Sequence, residues 1–181
     1  MKSKIANFFL LLGLVIVAAG GGFWVASEQR ANDTAAPPPF IEAEVYRFEF
    51  ATPAGEMKKL GEWQKHWMVV NFWATWCSPC RREIPAFIDL QNKYADQGVQ
   101  FVGIALDEAL PVQQFAEEQG MNYPVLVGED DVIVLMQHLG NQIGALPFTA
   151  VIAPGGRTLF VKQGEWEASE ADEYLSELSR I

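Results

Sequence analysis

The hydrophobic and polar positions of this chain fall into blocks of different period. VYRFEF, 45–50, alternates apolar and polar residues, the period of a half-buried strand. The turn residues Thr52-Pro53-Ala54-Gly55 follow, which predicts a short hairpin. MVVNFWAT, 68–75, is almost continuously apolar, as a central strand covered on both faces requires. Over 78–95 the residues Ile84, Phe87, Ile88, Leu90 and Tyr94 recur at helical spacing, and Gly98 ends that helix. VQFVGIAL, 99–106, is a second buried strand, and 112–120 is a short helix stopped by Gly120. A short strand over 123–128 and a helix over 131–139 come next. FTAVIA, 148–153, and RTLFVKQ, 157–163, flank Pro154-Gly155-Gly156 and predict an antiparallel hairpin. An acidic helix over 167–179 is the last element.

Strand–helix–strand–helix, then a hairpin and a helix, predicts an α/β fold. Its parallel βαβ part carries an antiparallel edge, with helices on both faces of a small mixed sheet.

The first residues follow another pattern. Lys2 and Lys4 precede a run from Ile5 to Ser27 without a formal charge. That run reaches the roughly 20 residues needed to cross a bilayer as a helix. The leading lysines place its start in the cytoplasm and the rest of the chain on the far side. A signal peptide cut after Val17-Ala18-Ala19 competes with an uncleaved signal anchor. The apolar run continues through Phe23, Trp24 and Val25, which favours the anchor. No cysteine follows the run, which excludes a lipid-modified N-terminus. The expected organisation is an anchor over 1–27, a proline-rich linker over 28–39 and a globular domain over 40–181. In a bacterium that domain lies in the periplasm or on the outer face of the inner membrane, where disulfides persist.

The formal net charge is −10, with the acidic residues dispersed. Nucleic acid is a poor partner for such a surface, because phosphate binding needs a basic face.

The chemistry concentrates in NFWATWCSPCRREIP, 71–85, which holds both cysteines of the chain. Cys77 falls between a buried strand and the first turn of a helix. Free N–H groups and the helix dipole stabilise a thiolate there. Cys80 lies one turn further along the same face, within disulfide reach. Pro79 suits the first turn, where its missing N–H costs no hydrogen bond. A structural staple is a competing reading, but two enclosed residues constrain little of the unfolded chain. A metal site is another, but zinc takes three or four protein ligands, and His66 and His138 lack paired ligand spacing. Arg81 after the second cysteine excludes haem attachment, which needs histidine there.

FWATWCSPC, followed by a helix with Pro85 five residues after Cys80, resembles the thioredoxin superfamily. Within it the chain resembles the TlpA-like, membrane-anchored extracytoplasmic thiol–disulfide oxidoreductases, over about 40–181. The resemblance implies a thioredoxin-like fold with an N-terminal β-hairpin extension and a central inserted segment. It implies Cys77 as attacking nucleophile and Cys80 as resolving thiol, joined as a redox-active disulfide with no further cofactor. Leu146-Pro147 resembles the superfamily's cis-proline beside the disulfide. Asn71 stands where cytoplasmic thioredoxins have aspartate, and Glu83 is the candidate proton acceptor for Cys80 in this branch. Trp76, Ser78, Pro79 and Leu146 are expected to meet substrate, and Trp73 to pack in the core. Phe148, where threonine is more usual, and Ala153, where aspartate is common, depart from the pattern.

The implied activity is reduction or exchange of disulfides on partner proteins, with cytochrome c maturation as a candidate pathway and an upstream membrane electron donor. Two alternatives differ in class. A thiol peroxidase would carry its cysteine in a P-x-x-x-T/S-x-x-C pattern, which is absent. A copper-binding module would space its cysteines more widely and add a nearby histidine.

Overall fold

The computed structural model describes residues 42–178 and 180. The anchor expected over 1–27 and the linker over 28–39 lie outside the described residues. Among those residues no helix is long and apolar enough to cross a membrane.

Seven strands form one mixed sheet in the order β2-β1-β5-β4-β3-β6-β7. The strands are β1 (Glu49–Ala51), β2 (Met57–Lys59), β3 (Trp67–Trp73), β4 (Val99–Leu106), β5 (Val125–Gly128), β6 (Phe148–Ile152) and β7 (Thr158–Gln163). The helices are α1 (Ser78–Tyr94), α2 (Ala109–Gln119), α3 (Asp130–His138) and α4 (Ala168–Leu178). β3, β4 and β5 run parallel, while β6 and β7 add an antiparallel edge beyond β3. This is the mixed, helix-flanked sheet that the resemblance implies.

β3 sits near the middle because its residues are apolar on both faces, and Met68 to Trp73 are all buried. α1 buries Ile84, Phe87, Leu90 and Tyr94 along one stripe. Phe87 packs on Phe101 of β4 and on Trp166, which precedes α4. Past α1 the chain reverses at Gly98, whose φ of 82° lies in the left-handed region that glycine adopts without strain.

Two expected elements differ. Residues 42–47 wind as a 3-10 helix, and the strand expected over 45–50 is confined to Glu49–Ala51. Val45 and Phe50 are both buried, yet five residues apart they would point to opposite faces of one strand. Coiling before Phe48 turns both inward, and the Tyr46 hydroxyl donates to the Ala153 carbonyl at 3.0 Å. The expected hairpin survives as β1–β2 and joins the sheet through Ala51 opposite Val127. The helix expected to start at 112 starts at Ala109, because Pro111 falls in its first turn, where proline is tolerated.

Gly128 ends β5 where α3 and β1 converge. A Cβ there would lie 2.6 Å from Asp131 Oδ1, 2.8 Å from Val132 Cγ2 and 3.2 Å from Phe50 Cδ1. Gly128→Ala is expected to cost about 1–3 kcal/mol by overpacking. Urea unfolding checks it: the midpoint falls, and an unchanged midpoint would show that α3 shifts freely.

Candidate active site

The reactive turn is the junction of β3 and α1. Cys77 caps the helix in an extended conformation, with φ −84° and ψ 102°. The Cys80 backbone N–H donates to Cys77 Sγ at 3.3 Å. A sulfur that accepts a helix N-terminal N–H is held where negative charge is favoured. Cys77 and Cys80 are disulfide-bonded, with their Cα atoms 5.3 Å apart. Cys77 is 5% exposed and Cys80 fully buried, so only the first sulfur approaches solvent. Ser78 and Pro79 fill the first two helical positions, as expected for a proline without a donor to lose.

The loop before Cys77 is fastened from β4. The Thr75 N–H and hydroxyl both donate to Asp107 Oδ2, at 2.9 and 2.5 Å. Trp73 is buried in the core and Trp76 is 68% exposed at the rim. The Leu146-Pro147 peptide bond is cis, and Leu146 packs against the cluster that contains Cys77 and Cys80. The candidate residues Cys77, Cys80, Trp76, Ser78, Pro79 and Leu146-Pro147 therefore gather around the β3–α1 junction.

Glu83 lies beneath this surface, 2% exposed. Asn71 Nδ2 donates to Glu83 Oε1 at 2.8 Å, and the Trp166 backbone N–H donates to Oε2 at 2.8 Å. Asn71 Nδ2 also donates to Thr149 Oγ1 at 3.0 Å, across the β3–β6 pairing. No cation neutralises Glu83 in these contacts. Burial pushes its carboxyl up to about 7, the N–H of Trp166 and the Asn71 amide pull it down, and the charge of Glu165 adds to the rise. Desolvation wins because two hydrogen bonds replace only part of a carboxylate's hydration. Burial likewise raises the Tyr123 phenol, and Glu83 contributes to that rise.

Several participants were missed in the sequence. Thr149 reads as one residue of an apolar strand, and only cross-strand register pairs it with Asn71. Trp166 contributes a backbone N–H, which no side-chain pattern announces. Asp107, just after β4, is at a strand C-terminus where α/β folds place functional groups, a signal that was available. Of the arginines, Arg82 pairs with Glu165 and Arg81 lies over the Phe115 ring. His66 and His138 stand apart from the cysteines, and among the described residues no three His, Cys, Asp or Glu side chains form a candidate metal cluster.

Comparison with known proteins bears on this geometry. The chain is 29% identical over 148 residues to the thiol-disulfide oxidoreductase ResA of Oceanobacillus iheyensis, covering 75% of each chain. It is 28% identical over 123 residues to ResA of Bacillus subtilis, covering 67% of this chain and 66% of that one. A thiol:disulfide interchange protein of the thioredoxin family from Chlorobium tepidum superposes with a TM-score of 0.65 at 29% identity. That match covers 73% of this chain and 92% of the other. The AhpC/TSA family model matches residues 41–158, which include the cysteine pair, Glu83 and Pro147. The chain therefore belongs to the AhpC/TSA family and is a thiol–disulfide oxidoreductase with a thioredoxin-like fold.

Proposed function

We propose that this protein works outside the cytoplasm, tethered to the membrane by its N-terminal segment, and reduces disulfides of partner proteins, apocytochromes of the c type among them. One observation carries the proposal: a disulfide-bonded cysteine pair at a helix N-terminus is followed one turn later by a buried carboxyl, which burial holds above its ordinary range. The charge-free run Ile5–Ser27 supports the tether and the extracytoplasmic location.

In the reducing direction the Cys77 thiolate attacks one sulfur of the substrate disulfide. A mixed disulfide forms, and the displaced substrate sulfur leaves as a thiolate that takes a proton from solvent. Cys80 then loses its proton, attacks Cys77 Sγ and closes the Cys77–Cys80 disulfide. The second substrate sulfur leaves, so the substrate gains the two electrons that the pair gives up. A membrane-borne dithiol donor returns the protein to its reduced form. Glu83 is the acceptor for the Cys80 proton. It follows Cys80 by three residues, one helical turn, and a pKa of about 7 keeps part of the population ionised near neutrality. Trp76 and the Leu146-Pro147 segment flank the attacked bond and orient the substrate backbone.

Two outcomes test this. In Cys80→Ser the second step cannot occur, so a mixed disulfide accumulates on Cys77. Mass spectrometry of the trapped adduct from the native membrane names the partner. Absence of any Cys77 adduct, together with failure to reduce a model disulfide, would refute the activity. Peroxide consumption by the wild type would point to the thiol peroxidase alternative.

The second outcome concerns Glu83 and pH. Its folded pKa, about 7, lies above its ordinary value of 4.5. Between those values the folded state holds a proton that the unfolded state has lost, so the stabilisation present below about pH 4.5 disappears as pH rises through about 7. The change amounts to roughly 3–4 kcal/mol at 1.4 kcal/mol per pH unit. Urea midpoints of the oxidised protein are expected to fall over that range and to flatten in Glu83→Gln. The same variant should lower disulfide reduction at pH 7 by about 100-fold, the low end for loss of a proton acceptor. A pH profile unchanged in Glu83→Gln would remove Glu83 from the proton path.

A further inference from the structure

A cavity of about 370 Å³ opens beside the reactive turn, lined by Trp76, Ser78, Arg81, Arg82, Phe115 and Gln119 among others. Trp76 and Ser78, on either side of Cys77 in sequence, both line it, so the cavity borders the reactive turn. The Leu146-Pro147 segment packs on the cluster that contains the two cysteines, and neither residue lines the cavity.

The two arginines of the cavity are in different states. Arg82 is occupied: its Nε donates to both oxygens of Glu165 at 3.1 and 3.0 Å, and its NH1 donates to Ser78 Oγ at 3.3 Å. Arg81 has no carboxylate within ion-pair distance among the described residues. Its guanidinium carbon lies 5.4 Å from the centroid of the Phe115 ring. A guanidinium over an aromatic face keeps N–H donors that can grip a carboxylate with two parallel hydrogen bonds. Two acids near this turn are engaged. Glu165 binds Arg82, and Asp107 accepts from the N–H and hydroxyl of Thr75 and the N–H of Glu108. An unpaired cation therefore stands one helical turn from Cys77 on a chain of net charge −10.

The geometry points to a specificity subsite: the cavity takes an acidic side chain of the substrate polypeptide, and Arg81 holds its carboxylate. This rests on the disulfide-reducing activity proposed above and names a preference within it. The Arg81 backbone N–H donates to the Cys77 carbonyl at 3.2 Å, which places the two residues one helical turn apart. One helical turn is about 5.4 Å along the axis. An extended substrate advances about 3.3 Å per residue, so the acidic residue lies about two positions from the attacked cysteine. Electrostatic attraction of this kind selects among substrates and speeds encounter, and added salt weakens it. Trp76 supplies the apolar wall against which the intervening substrate residue packs.

The test uses the full-length chain in detergent micelles, reduced and freed of reductant. Three disulfide-bridged peptides differ only two residues after the first cysteine, where they carry Glu, Gln or Lys. The second-order rate of peptide reduction is measured for each at low and high salt. The Glu peptide is expected to exceed the Lys peptide by about tenfold at low salt, in keeping with one charge-assisted contact, and the ratio should contract at high salt. In Arg81→Glu the order of the two peptides should invert, while Arg81→Lys should retain the wild-type order with a smaller ratio. Equal rates for the three peptides in the wild type, or an unchanged ratio in Arg81→Glu, would overturn the subsite. Failure of the wild type to reduce any of the peptides would instead strike the proposed activity. Arg81 is exposed, and thermal unfolding of each variant confirms that the comparison is between folded proteins.

Discussion

A carboxyl group buried without a cation constrains everything around the cysteine pair. Glu83 is held by one side-chain amide and one backbone N–H, each at 2.8 Å, and these come from different parts of the chain. Asn71 belongs to the central strand, Trp166 to the segment that leads into α4, and Glu83 to α1. Removing either donor leaves part of a buried acid unsatisfied, at a cost of about 1–3 kcal/mol. The contact therefore ties the active-site helix to the sheet and to the C-terminal part of the fold. The aromatic packing follows the same line, because Trp166 meets both Phe87 of α1 and Phe160 of β7.

The identity of residue 71 matters for the same reason. An aspartate there would place a second carboxylate within hydrogen-bonding distance of Glu83, and two such acids titrate as a coupled pair. Asparagine instead offers two permanent donors. One serves Glu83 and the other Thr149. Titration is thereby concentrated on one group. The two cysteines are separated in an analogous way. Cys77 receives an N–H from the helix terminus, whereas Cys80 lies wholly within an apolar cluster that includes Trp73 and Ile84. A thiol in such surroundings resists ionisation, so the step that uses Cys80 is the one that most needs a neighbouring base.

Much of this was legible in the sequence where one residue type answers one local demand. The buried strands β3 and β4 announced themselves by unbroken apolar runs, and β4 spans Val99–Leu106 as its pattern predicts. α1 followed from its stripe of apolar residues, and the cysteine pair from its position between strand and helix. Glu83 came from the resemblance to the TlpA-like branch, with its spacing of one helical turn from Cys80 in support. The extent of its burial was not legible, because burial depends on Asn71 and Trp166, 12 and 83 residues away. The alternation of 45–50 misled for a related reason. It reports which residues are apolar but not whether the chain turns between them, and the anchoring of Tyr46 to Ala153 spans 107 positions.

The surface chemistry around Cys77 completes the physical picture. With 23 acidic and 13 basic residues, the protein repels anionic partners at a distance. A polypeptide substrate must nevertheless be brought to a sulfur that is 5% exposed. Arg81 is in a position to offset that repulsion, since it belongs to the first turn of the helix whose N-terminus already favours the thiolate. Arg82, next in sequence, is committed to Glu165, one residue before the N–H that holds Glu83. One arginine thus braces the segment that positions the buried acid, while its neighbour faces the substrate. The division of labour follows from their positions on the helix, since successive residues point about 100° apart.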